Sequence, residues 1–169
     1  ALIVAIIIYF IDPRASGVGT DLYIKYTNNI AFNLENKFKL LVTKVIATEA
    51  TVGLIGLGGL VGPLLLIGSS LAILLQKLLS YLRIEIINYK LDLKVLSICG
   101  AASTLGPLLG VPIGGGVFAS EILYKSSLDY NDIFPAILAS SFGYFFYYSF
   151  LPYQQLTVVR SLLFPLYLH

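Results

Sequence analysis

Gly58-Gly59-Leu60-Val61-Gly62-Pro63 interrupts a stretch that is otherwise able to cross a membrane. From Ala50 to Gln76 no side chain carries charge, a run long enough to span a bilayer as a helix. A helix cannot run smoothly through Gly-Gly-X-X-Gly-Pro, because glycine loosens the backbone and proline removes a donor. Broken backbone at membrane depth persists only where protein buries it or where it lines a polar cavity, so the break marks a candidate ion or substrate site. The motif implies transport.

Composition points the same way. Hydrophobic residues make up 57% of the chain and charged residues 12%, against about 25% charged in a usual soluble domain. Further uncharged runs lie at Val95 to Ser120 and Ile133 to Val159. A cleavable signal peptide has one such run near the N-terminus, so the pattern predicts a multi-pass membrane protein. The net charge of +2 gives no footprint for nucleic acid. Cys99 is the only cysteine and excludes an internal disulfide; it reads as a small buried side chain. His169 is the only histidine and is terminal, leaving little material for a zinc site or for Ser/His/Asp or Cys/His catalysis. No catalytic residue, metal site or cofactor is expected. The chain starts on Ala1 inside an apolar run and has no methionine, which reads as a trimmed part of a longer protein.

Along the chain, Ala1 to Ile11 reads as the end of a helix stopped by Asp12-Pro13. A small-residue loop, Ala15-Ser16-Gly17-Val18-Gly19-Thr20, leads to Asp21, a suitable first-turn residue. Tyr26 to Lys39 is polar and is expected at an interface or in water. Leu40 to Leu57 is a second apolar segment, carrying Lys44 and Glu49, and the opening motif then starts a helix through Leu64 to Leu79. Lys77, Arg83, Lys90 and Lys94 against Glu85 and Asp92 place the next loop on the cytoplasmic side by the positive-inside rule. Val95 to Ser120 is broken at Gly110-Val111-Pro112-Ile113-Gly114-Gly115-Gly116, so two shorter helices packed on each other are predicted. Ile133 to Val159 reads as a full span with a bend at Pro152, followed by the unfinished apolar end Leu162 to Leu168.

A helix start presents unpaired N–H groups and roughly half a positive charge, so it can hold an anion without a full cation nearby. Ala15-Ser16-Gly17 adds a hydroxyl donor, and Gly59-Leu60-Val61-Gly62 adds backbone that an ion can approach closely. A bare Lys or Arg would hold an anion too tightly for fast release, whereas partial charges permit entry and exit. Other readings stay open. Glycines in membrane helices also serve only to let helices pack closely, and Ser16 could be a simple N-cap. The aromatic cluster Phe142 to Tyr153 reads as lipid-facing or interfacial packing rather than a ligand cage. Glu121 is either a proton carrier or a boundary residue reaching water.

In their order these motifs resemble the CLC family of chloride channels and chloride/proton exchangers. Ala15-Ser16-Gly17-Val18-Gly19 is similar to the family's GSGIP loop. Lys44 falls where many members have lysine. Gly59-Leu60-Val61-Gly62-Pro63 with Ile67-Gly68 is similar to GREGP and its trailing residues. Gly100-Ala101-Ala102, Val111-Pro112-Ile113-Gly114-Gly115 and Val117-Phe118-Ala119-Ser120-Glu121 resemble GAAAG, APIAG and LFALEE. The resemblance implies an all-α membrane fold of short, tilted, broken helices, with residues 1–169 as one transmembrane domain forming the N-terminal half of an inverted-repeat unit. It implies a homodimer in the cell membrane, with a separate pore in each subunit. It also implies that Ser16, Gly17, Leu60, Val61 and Gly62 bind chloride or a similar anion. Val61 stands at the family's gating glutamate and Ile122 at the inner proton acceptor, so the implied transport is uncoupled from protons. The family's second half, with its GxFxP loop and the tyrosine that completes the central site, is absent and would have to be supplied. The alternatives are a proton-coupled antiporter and a non-conducting structural subunit of the same fold. An intramembrane enzyme is disfavoured, because no nucleophile, base and orienting group occur together.

Overall fold

The computed structural model describes residues 8–9, 12–28, 34–53, 59–81, 93–123 and 130–150, and these are all-helical with short turns. After a 3-10 turn at Pro13–Ala15 come α1 (Thr20–Asn28), α2 (Leu34–Gly53), α3 (Val61–Tyr81), α4 (Leu93–Leu109), α5 (Pro112–Glu121) and α6 (Tyr130–Phe150). Within α3, Val61–Leu79 is long and apolar enough to cross a bilayer, and so is Tyr130–Phe150. Twenty-one residues at ~1.5 Å each match a hydrocarbon core of ~30 Å.

The breaks follow from local chemistry. Pro63 sits in the first turn of α3, where its missing N–H costs no intrahelical bond. Between α4 and α5, Gly110 takes a left-handed φ of 70° just past the end of one helix, and Pro112 opens the next. Val111 between them is extended, at φ −129° and ψ 98°, as a residue before proline prefers. The two short helices predicted for Val95 to Ser120 are therefore α4 and α5, and they pack directly on each other.

Helix α4 is the central element, touching α3, α5 and α6. Side chains at the contacts are small enough for backbones to meet. A Cβ on Gly68 would overlap the Gly100 carbonyl, and a Cβ on Gly100 the Gly68 carbonyl, so α3 and α4 cross at this pair. A Cβ on Gly115 would lie 2.5 Å from the Gly106 nitrogen and 2.7 Å from the Ser140 hydroxyl, which joins α4, α5 and α6 at one point. For these glycines the close-packing reading holds.

Some of the buried polar groups find partners across helices, although Ser140 Oγ and Gln76 Oε1 are buried without one among the described residues. The fully buried Tyr23 hydroxyl of α1 donates to the Ala119 carbonyl of α5 at 2.9 Å, and Thr27 and Ser97 hydroxyls pair at 2.9 Å. Thr104 of α4 donates to the Leu64 carbonyl of α3 at 3.1 Å. Tyr26 and Thr27 are buried, so the polar segment that begins at Tyr26 does not lie wholly in water or at an interface. The apolar segment around Lys44 starts its helix earlier than Leu40, at Leu34. On α6, Phe142, Phe145, Phe146 and Phe150 are exposed. Pro152, Tyr153 and Leu162 to Leu168 lie outside the described residues.

Candidate functional site

Two of the Gly-containing loops end in helix starts that meet. In the first, the Ala15 N–H bonds the Asp12 carbonyl at 3.0 Å, and the chain then passes Gly17 and Gly19, both left-handed at φ 87° and 99°. The Gly19 carbonyl accepts the Tyr23 N–H at 3.0 Å, so the N–H groups of Thr20 to Leu22 have no acceptor within α1. In the second, the Leu60 carbonyl accepts the Leu64 N–H at 3.0 Å. Val61 and Gly62 therefore keep N–H groups without an intrahelical acceptor, and Pro63 has none to offer. The loops touch at Gly62, where a Cβ would overlap the Val18 carbonyl oxygen. A Cβ on Gly19 would stand 3.1 Å from the Gly62 oxygen and 3.3 Å from Lys44 Cε. The positive ends of two helix dipoles thus share one junction.

Lys44 completes the junction from α2. Its side chain is 4% exposed, and its Nζ donates to the Ala15 carbonyl at 3.0 Å and to the Gly17 carbonyl at 2.6 Å. These two carbonyls bracket Ser16. Because a trans peptide points its N–H opposite its C=O, anchoring the Gly17 oxygen turns the Val18 N–H away from the ammonium. The sequence led us to expect an anion site built from dipoles alone; the structure sets a full cation directly beneath the loop. A lysine in an apolar helix is only a charge to be explained in the sequence, since its acceptors are backbone atoms of a distant loop.

The predicted site residues fall into two groups. Ser16 and Gly17 are exposed on the loop, and Leu60, Val61 and Gly62 form the start of α3 beside it. Ser16 does not cap α1, which begins at Thr20 with Gly19 in the cap position. The Val61 side chain is half-buried against the core around Tyr23 and Leu65. Ile122 packs against the same core just past α5, whereas Glu121, the last residue of α5, is exposed. Val61 and Ile122 are both apolar and pack against the same core.

Sequence reasoning passed over one ion pair. Lys94 in the first turn of α4 lies 3.4 Å from Asp132, which is buried in the first turn of α6. An acid at a helix start complements the dipole there. Both residues stand at the edges of uncharged runs.

Residues 1–168 match the family described as voltage gated chloride channel. A protein of Methanocaldococcus jannaschii, itself uncharacterised, is 32% identical over 143 residues, covering 85% of this chain. The chain spans about a third of that relative, 32% of its length. No solved structure matches.

Proposed function

The chain belongs to the voltage gated chloride channel family, and from that premise we propose that it is the N-terminal half of a unit passing chloride or a similar monovalent anion. The anion path runs by the Ser16 and Gly17 loop and the amides at Leu60, Val61 and Gly62. The observation that supports this is the junction of two helix starts at Gly19 and Gly62, whose first N–H groups have no intrahelical acceptor, with Lys44 behind the loop. A second half of the same fold supplies the remaining donors, and two complete units associate as a homodimer in the cell membrane. Movement of the anion is uncoupled from protons, because Val61 and Ile122 cannot be protonated and both pack into the core.

The test uses the complete polypeptide in chloride-loaded vesicles, with an ionophore balancing charge. Chloride efflux is expected, and a chloride gradient is expected to drive no uphill proton movement. Sustained uphill proton movement would establish the antiporter instead. Absence of flux from well-folded protein would establish the structural subunit.

A further inference from the structure

Behind the loop, on the side of α2, lies a cavity of about 250 Å³. Its walls are made by Lys44, Ala47, Thr48 and Thr51 of α2 together with Gly17 and Gly59 of the two loops and a few apolar neighbours. The space far exceeds the ~10–15 Å³ that one water requires. Ser16, Leu60, Val61 and Gly62 do not line it; Gly17 alone is shared with the path proposed above.

Lys44 is the one ionisable side chain among the described lining residues. A buried ammonium is costly unless its charge is balanced, and carbonyl dipoles balance only part of it. The Ala15 and Gly17 carbonyls take two of its three N–H donors, and among the described residues no carboxylate pairs with it. One donor and a net positive charge are left beside an open space. Thr48 and Thr51 direct their hydroxyl hydrogens to the Lys44 and Ala47 carbonyls, at 2.7 and 2.6 Å, so the ammonium is the group that selects the occupant. A cation is repelled there, and a multiply charged anion would overcompensate a single positive charge.

We propose that this cavity is a second anion site, holding one small monovalent anion of the halide class as the counter-ion of Lys44. The choice of ligand rests on the anion-transport reading; the charge balance does not. An occupied cavity cancels much of the field that Lys44 casts on the Ser16 loop, and an empty one restores it, so occupancy sets how strongly the loop attracts a permeating anion.

Anomalous diffraction from crystals of the complete protein grown in bromide tests this. A bromide peak is expected in the cavity, within hydrogen-bond distance of Lys44 Nζ, besides one at the junction of Ser16 and Val61. In Thr51→Leu the larger side chain fills the cavity without removing a partner of Lys44, and the cavity peak should be lost while the junction peak stays. A junction peak with only water beside Lys44 overturns the second site and leaves the transport reading standing. Bromide in the cavity alone supports the second site and counts against the path; bromide at neither place overturns both. A cavity peak that survives Thr51→Leu refutes the assignment of the ion to this space.

Discussion

Glycine does opposite work in two parts of this molecule. Along α3 to α6 it lets helices touch backbone to backbone, as at Gly68 against Gly100 and Gly115 against Gly106. At the loops before α1 and α3 it lets the chain turn, and Gly17 and Gly59 have nothing within 4 Å of where a Cβ would stand. The first region is closed by contact. In the second, Gly17 and Gly59 stay open while Gly62 packs against the Val18 carbonyl, and Lys44 bonds the loop from α2. The donors at the polar junction are Lys44 and the two helix starts.

That contrast is most sharply broken by enlarging a packed glycine. Gly68→Val inserts a branched side chain where even one carbon overlaps a carbonyl, and overpacking of cores costs typically ~1–3 kcal/mol before backbone collision is added. The complete protein carrying it should lose its monodisperse peak in detergent chromatography. An intact, equally thermostable variant would mean that α3 and α4 are not in contact at this pair.

Next in size is Lys44→Met, which keeps the length and removes the charge. Two charge-assisted hydrogen bonds disappear, each in a class worth ~1.5–3 kcal/mol, while the burial cost of the ammonium is recovered, so thermal stability should fall by less than their sum of about 3–6 kcal/mol. Chloride flux should fall with it, because the Ser16 loop loses its anchor. Unchanged stability and flux would show that the loop holds itself.

Val61→Glu should alter pH dependence more than stability, since the residue opens α3 and is only half-buried. An acid there is neutral at low pH and anionic once it loses its proton. Ionised, it competes with the permeating anion for the amides of the junction. Flux should therefore be highest at low pH and decline as pH rises and the carboxylate ionises, with no such step in the parent protein. A variant whose flux rises with pH would place Val61 outside the path.

The smallest effect is expected at Gly17→Ala. Nothing blocks the added carbon, so only the left-handed φ of 87° opposes it, at a cost of roughly 1–2 kcal/mol. The difference between this variant and Gly68→Val, measured in one thermal assay, gauges how far the two glycine regions differ.

Much of this architecture could be read from residue order. Gly110 before Pro112 is a helix stop followed by a helix start, and Gly-Pro at 62–63 opens an uncharged run. The family resemblance rests on those same loops. What stayed hidden were contacts whose partners are backbone. Nothing in the sequence couples Tyr23 to the carbonyl of Ala119, or Lys44 to the carbonyls of Ala15 and Gly17, because any residue type supplies a carbonyl. The two roles of glycine were equally hidden, since Gly114-Gly115-Gly116 and Gly17-Val18-Gly19 differ in neighbours rather than in composition. Lys94 and Asp132 were visible only as charges, their attraction depending on α4 and α6 starting side by side.

The bond from Tyr23 to Ala119 spans 96 positions, and that separation sets an order in time. At ~5–20 residues per second of synthesis, Ala119 is made on the order of 5–20 s after Tyr23. Through that interval the Ala119 carbonyl that accepts from Tyr23 has not yet been made. The nascent chain must therefore pass α3 and α4 before this bond can form, and it closes only when α5 arrives.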